Sequence, residues 1–238
     1  VTHSSRLLPV RRRDGTAAML KLAWIAEEAR GGRVMQWWGG DGAARVLARR
    51  GAAVLLERGG ASLAGLDDAV ATPVICAAAA GLHRARAGRV PRLVPLRRWF
   101  RALLAAREGV LAEAAAVARG LLDDPREVVV LHGDLHHMNV LDFGARGWLA
   151  IDPKGLVGER GFEFATLLRN PDAGRALAPG RLEREVARVA GLAGVERRRL
   201  LHWVMAVAGL SAAWFLADGA DAAADLSLAE MARARLGA

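Results

Sequence analysis

The chain has a single cysteine, Cys76, so it can close no internal disulfide and nothing in it asks for an oxidising compartment. Lysine is almost as scarce. Of 34 basic residues 32 are arginine, and the only lysines are Lys21 and Lys154. Long hydrophobic runs are missing too. The longest, Trp203 to Ala217, is interrupted by Ser211 and stops at Asp218, short of the roughly 20 residues a membrane span needs. A buried helix is the expectation there. No charged segment followed by an apolar one opens the chain, so a cytoplasmic protein with no membrane partner is expected. The net charge of +9 raises the question of nucleic acid. The arginine runs at 11–13, 97–98 and 197–199 have no interleaved aromatics to stack bases, and they read as solvated faces of an arginine- and alanine-rich chain. No nucleic-acid partner is expected, and a monomer is favoured.

What is present is an ordinary globular composition, 53% hydrophobic and 25% charged over 238 residues, enough for one large domain or two lobes. Arg6 to Val10 and Ala17 to Leu22 flank an Asp14-Gly15 turn and predict a hairpin. Glu27 to Trp38 predicts a helix, weakened by Gly31-Gly32, and Ala53 to Leu56 a strand. Beyond Gly59-Gly60 the pattern turns helical, at 67–87, 96–106, 110–122, 161–169, 181–193, 196–217 and 221–235, with a brief strand at 128–131. The expected organisation is a small β-containing lobe over 1–58 and a larger, mostly helical lobe over 59–238.

The chemistry concentrates in HGDLHHMNVLDFGARGWLAIDPKG, residues 132–155. Asp134 precedes Asn139 by five, the spacing of base and metal-binding amide in a phosphotransfer catalytic loop. Val140 to Asp142 and Trp148 to Ile151 read as two short strands. Pairing Leu141 with Ala150 sets Asn139 directly opposite Asp152, with Cβ atoms roughly 4.5–5.5 Å apart. An amide oxygen and a carboxylate so placed suit Mg²⁺, a hard cation that prefers oxygen. On this reading Asp134 orients the acceptor hydroxyl and takes its proton, Asn139 and Asp152 hold the metal, and His132 supports the loop. The triplet Asp142-Phe143-Gly144, although it spells a kinase metal motif, lies by the hairpin turn and is a decoy. A zinc site on His132, Asp134, His136 and His137 is the rival, but it lacks the spacing that puts two histidines on one helix face. Turn residues without chemistry are the plain alternative.

The same stretch, continued as LVGERGFEFA, resembles the aminoglycoside phosphotransferases, and within them the streptomycin 6-kinase and hydroxyurea kinase branch. THSSRLLPV, MLKLA, WWGGDGAARVLA, VLLER, APGRLE and GLSAAWFLADG extend the likeness over nearly the whole chain in order. The resemblance implies an α+β, protein-kinase-like fold of two lobes, with ATP and Mg²⁺ as cofactors. It implies that Lys21 holds the nucleotide phosphates and that Glu28 pairs with it, Glu27 being the neighbouring alternative. Thr2-His3-Ser4-Ser5 would form the turn over the phosphates, with Ser4 and Ser5 near the nucleotide, and Glu57-Arg58 would be the hinge at adenine. Glu163 would brace the catalytic loop, and Lys154 would approach the γ-phosphate, the acceptor, or neither. The chain begins inside what resembles the first hairpin, so the first strand of the small lobe is expected to be missing.

The implied reaction is transfer of the γ-phosphate of ATP to a hydroxyl of a streptomycin-like aminoglycoside or of hydroxyurea. A guanidinium-bearing acceptor needs local acids, for which Glu159, Asp172, Asp218 and Asp221 are candidates. The alternatives are a kinase of another hydroxylated metabolite, or a truncated, non-catalytic interaction protein of the same fold.

Overall fold

The computed structural model describes residues 4–237. Strands β1 (Ser5–Arg11), β2 (Ala17–Ala23), β3 (Val46–Arg50) and β4 (Ala53–Glu57) form one antiparallel sheet in the order β1-β2-β4-β3. Helix α1 (Ala26–Trp38) lies between β2 and β3 in the chain. The first hairpin turns where Asp14-Gly15 predicts, with Asp14 accepting from the Thr16 amide at 2.9 Å. The short strand β3 escapes sequence reading because four of its five residues are exposed and it carries two arginines.

Helix α1 carries its acids, Glu27 and Glu28, in the first turn, where the helix dipole favours negative charge. Its paired glycines are contact points. A Cβ on Gly31 would stand 2.2 Å from the Pro153 carbonyl oxygen, and one on Gly32 would stand 2.6 Å from Val54 Cγ2. The glycines therefore let the helix backbone lie directly on the segment after Asp152 and on β4. Gly31→Ala is expected to cost about 1–3 kcal/mol, because the obstacle is backbone and has no rotamer to yield. A drop in thermal midpoint, with a weakened nucleotide-dependent stabilisation, checks it.

The remainder is mostly helical: α2 (Asp68–Leu82), α3 (Leu96–Trp99), α4 (Arg101–Leu104), α5 (Gly109–Asp123), α6 (Gly161–Arg169), α7 (Ala173–Ala176), α8 (Arg181–Ala193), α9 (Arg197–Ala217) and α10 (Ala223–Gly237). The helix expected over 96–106 is two pieces meeting at Phe100, and that over 67–87 stops at Leu82. By length and composition α9 is apolar enough to cross a membrane, yet Trp203 to Ala212 are all buried. Trp203 meets Phe100 and Phe162 edge-on at 6.0 Å, and those two rings meet at 5.9 Å, so α9 is the central rod of the helical core.

Two small β elements place the loops. Strands β5 (Val94–Pro95), β9 (Leu156–Glu159) and β6 (Val128–Leu131) pair in the order β5-β9-β6. Leu131 sits opposite Leu156, which lays residues 132–134 beside 152–155. Strands β7 (Val140–Asp142) and β8 (Trp148–Ala150) form a hairpin bridged on both edges, Ala43 to Ala150 from the segment before β3 and Ser62 to Leu141 from the segment after β4. Its register differs from the expected one by one residue. Val140 pairs with Ala150 and Asp142 with Trp148, because Phe143 to Gly147 make a five-residue turn closed by Phe143 N donating to Gly147 O at 2.9 Å. Asn139 therefore stands opposite Ile151, not Asp152.

Candidate active site

Asp152 follows the last hydrogen-bonded pair of the hairpin and adopts φ +64°, a left-handed conformation that aspartate tolerates better than most residues. The chain thereby leaves the ladder, and the carboxylate Oδ1 reaches the ammonium of Lys21 on β2. Lys21 also pairs with Glu28 of α1, and Ser4 Oγ donates to the other oxygen of Glu28 at 2.8 Å. Of the two candidate acids, Glu28 is thus the partner of Lys21. Burial pushes the Asp152 carboxyl up, but the charge of Lys21, then that of Lys154, outweighs it and holds the group below the usual carboxylate range. Thr2 and His3 lie outside the described residues. Ser5 is buried. Glu57 binds the Arg146 guanidinium and accepts from the Arg45 amide at 2.6 Å, tying the end of β4 to the tip of the hairpin, while Arg58 is exposed.

The loop after β6 is held from beneath. Glu163, 1% exposed at the start of α6, accepts from the amides of His132 and Gly133, both at 2.7 Å. His83 Nε2 stands 3.7 Å from the same carboxylate. Burial raises the Glu163 carboxyl, but the nearby His83, and then His132 and the Gly133 amide, more than offset it and hold the group below the usual carboxylate range. His132 is fully buried and stacks on Trp38 at 6.2 Å. Its Nδ1 accepts from the Asp134 amide at 3.2 Å, so the proton is on Nε2, which donates to the Ile151 carbonyl at 2.7 Å. Burial depresses its pKa against the pull of Glu163 and Asp134, keeping the ring neutral. It joins the loop to the strand end just before Asp152.

Asn139 turns its Nδ2 to the Asp134 carbonyl at 2.8 Å, which leaves the amide oxygen as its cation-binding atom. That oxygen and the second carboxylate oxygen of Asp152 are hard donors of the kind Mg²⁺ takes, completing its shell with water and phosphate. The two residues do not stand in direct cross-strand opposition, so any cation they share would be reached by the Asp152 carboxylate from beyond the end of the ladder. Asp142 does not compete. It is exposed at the far end of the hairpin and accepts locally from the Gly144 amide at 2.8 Å. The zinc reading fails on direction: His132 is spent on backbone, and His137 is buried beside Asp68, 3.6 Å away. Among the described residues no three His, Cys, Asp or Glu side chains gather as a metal site.

Asp134 is one-third exposed and borders a cavity of about 370 Å³. Gly133, Lys154, Glu27 and the ring pair Trp99–Trp214, edge to face at 5.3 Å, share its wall. Lys154 Nζ lies 3.1 Å from Glu27 and 3.8 Å from Asp134 Oδ2, and its backbone amide donates to the His132 carbonyl at 2.7 Å. Burial lowers the Lys154 pKa, but Asp134, Glu27 and Asp152 together raise it, so the ammonium persists. Glu27, Trp99 and Trp214 were not picked out from the sequence as pocket residues. Tryptophan is the commonest aromatic of the chain, and its count does not say which of seven line a cavity.

The candidate acids for a cationic acceptor fare poorly. Glu159 is a correction: it is 3% exposed and fully bonded, to Arg199 at 2.6 and 2.7 Å, Trp203 Nε1 at 2.7 Å and the Arg126 amide at 2.9 Å. Burial pushes its carboxyl up, but these bonds outweigh that and hold it below the usual range. It ties β9 to α9 and does not line the cavity that Asp134 borders. Asp172 and Asp221 accept from the Arg175 and Ala223 amides, and Asp218 is exposed where α9 ends. Glu159→Gln should cost about 3 kcal/mol by leaving Arg199 with a neutral partner, with acceptor KM unchanged. The contribution of Glu159 is full above the unfolded carboxyl pKa and lost as pH falls through the lower folded value. Denaturant titrations of both proteins at several pH values check the sign.

Comparison with known proteins places this geometry. Residues 1–219 match the family described as aminoglycoside/hydroxyurea antibiotic resistance kinase. Streptomycin 3''-kinase of Klebsiella pneumoniae is 53% identical, covering 98% of this chain and 93% of the relative. Streptomycin 6-kinase of Streptomyces griseus is 34% identical, covering 95% and 80%. Among solved structures, aminoglycoside phosphotransferase APH(3'')-Id of Streptomyces rimosus, in complex with ADP and streptomycin, superposes with TM-score 0.58 at 18% identity, covering 86% of this chain and 92% of that one.

Proposed function

The chain belongs to the aminoglycoside/hydroxyurea antibiotic resistance kinases, and on that premise we propose that it is a cytoplasmic, monomeric enzyme transferring the γ-phosphate of ATP to streptomycin, at the 3''-hydroxyl. The observation that carries the choice of acceptor is the 53% identity to a streptomycin 3''-kinase over 98% of the chain. The geometry supports the chemistry.

Lys21, fixed by Glu28, offers a point charge to the α- and β-phosphates. Asn139 and Asp152 would hold Mg²⁺, which neutralises charge on the phosphates when bound. Asp134 faces the cavity and accepts the proton of the attacking hydroxyl, while Asn139 and the Lys154 ammonium fix its orientation. Lys154 is placed to follow the transferring group toward the acceptor, leaving Glu27 as it does so. Because phosphoryl transfer passes through a loose transition state, positioning and charge do most of the work, and Asp134 needs no raised pKa. The acids lining the cavity are Glu27 and Asp134, both facing the Lys154 ammonium and available to a guanidinium only once Lys154 moves, and the faces of Trp99 and Trp214 add cation–π attraction.

The test is incubation with ATP and Mg²⁺ and either streptomycin or hydroxyurea, following ADP release and the mass and NMR assignment of the product. Phosphate on the 3''-oxygen of streptomycin is expected. ADP release with hydroxyurea alone, or phosphate on another oxygen, overturns the assignment.

A further inference from the structure

A second cavity, larger than the acceptor cavity, lies beside it and has no part in the reaction proposed above. It is an open groove of about 580 Å³ that shares Glu27, Trp99 and Trp214 with its neighbour. Its other side chains are dominated by five arginines. Arg30 and Arg33 come from α1, three residues apart and so on one face. Arg98 and Arg101 come from the α3–α4 junction, again three apart, and Arg92 from the loop before β5. Leu93, Val94 and Pro95 supply an apolar wall.

This is not the usual condition of arginine in the chain. Arg97, next in sequence to Arg98, pairs with Asp123; Arg169 pairs with Asp225 and Arg199 with Glu159. Among the described residues none of the five groove arginines has a carboxylate within 4.0 Å, and the one acid in the wall, Glu27, is taken by Lys154. Arg30 is half-buried, and burial disfavours its charge most; Glu27 supports the charge, while Arg33 and Arg98 oppose it. Guanidinium groups from three separate segments are thus brought together with no carboxylate in direct contact and one acid, Glu27, among five arginines. A cationic acceptor is repelled from such a place, so the groove is not an extension of the drug site.

We propose that this groove is a binding site for a compact oligophosphate, the anion chemistry of inorganic tripolyphosphate or of a nucleotide's phosphate tail. The guanidinium fork matches phosphate oxygens in pairs. A single phosphate brings only about two negative charges, so balancing five guanidiniums takes two or more linked phosphate groups. The shape argues for a short anion, since the arginines surround one cavity and do not trail along a surface. Occupancy is also felt at the reaction centre, because Arg30 Nε donates to the Lys154 carbonyl at 3.1 Å.

Calorimetric titration of tripolyphosphate into the full chain, without magnesium, tests this. One equivalent should bind the wild type. The exposed pair Arg98→Ala/Arg101→Ala should leave the ligand-free thermal midpoint in place and weaken binding at least tenfold, whereas Lys21→Met, disabled at the nucleotide phosphates, should bind within twofold of wild type. Absence of binding to wild type, equal binding by the double variant, or loss in Lys21→Met instead would each overturn the site. ATP titrated into Lys21→Met separates the two sources. Binding that disappears when Arg98→Ala/Arg101→Ala is added assigns the groove to a nucleotide tail, and no ATP binding with tripolyphosphate binding retained assigns it to the inorganic anion. If a single-stranded RNA binds the wild type more tightly than tripolyphosphate and loses that binding in the double variant, the compact ligand is wrong.

Discussion

Asp134→Asn is expected to lower kcat by about 10²–10⁴-fold, the usual contribution of a positioned general base, while Mg-ATP affinity stays within twofold. The substitution keeps the size of the side chain, so packing against Asn139, His136 and Lys154 survives. What it removes is the acceptor for the hydroxyl proton and one of the two carboxylates facing Lys154. The residues proposed for the nucleotide, Lys21, Glu28 and Asp152, are anchored to one another independently of Asp134. The measurement is steady-state kinetics beside calorimetric titration of Mg-ATP. Equal losses in both would make Asp134 a structural residue of the loop and end its assignment as the base.

Asp152→Asn should abolish productive nucleotide binding, with Mg-ATP affinity falling at least about 100-fold, beyond the 10–100-fold typical of losing an outer-shell partner of a metal. The amide is a poorer cation ligand, and it leaves the buried ammonium of Lys21 with Glu28 alone. Asp142→Asn is the matched control. Asp142 contributes a local turn bond to Gly144 and is exposed, so its loss should leave Mg-ATP affinity unchanged and cost about 1 kcal/mol of stability at most. Titration of Mg-ATP into both variants decides between the aspartates. Loss of metal binding in Asp142→Asn with retention in Asp152→Asn would reverse the assignment.

The preference for Asp152 over Asp142 rests on sequence spacing, and one step toward it differs in the structure. The strands on either side of Phe143–Gly147 show in the apolar residues, but the turn closes one residue tighter than their pattern suggests. A slip of one residue ordinarily sends a side chain to the opposite face. Here the left-handed backbone at Asp152 restores the carboxylate to the cleft, and no residue pattern announces that conformation in an aspartate. The glycine pair in α1 misled in the opposite direction. It lowers helix propensity, yet it is what allows the helix to lie on Pro153 and β4.

The sequence by itself determined the reaction class and the two-lobed kinase-like fold, and it supplied the candidates for the site, because those rest on short spacings and on residues made conspicuous by rarity. Asp134 and Asn139 share one loop, and Lys21 and Lys154 are the only two of their kind. Tertiary structure alone decided which charges meet. Glu159 has the composition of a substrate acid and is locked by Arg199 forty residues away; Glu27 finds Lys154; Trp99 finds Trp214; and five arginines from three segments surround one groove. The physical reason is range. Turn, cap and periodicity rules act over a few residues, whereas the partner of a buried or half-buried charge is fixed by how distant elements pack, and only then is it known whether that charge is spent or free to act.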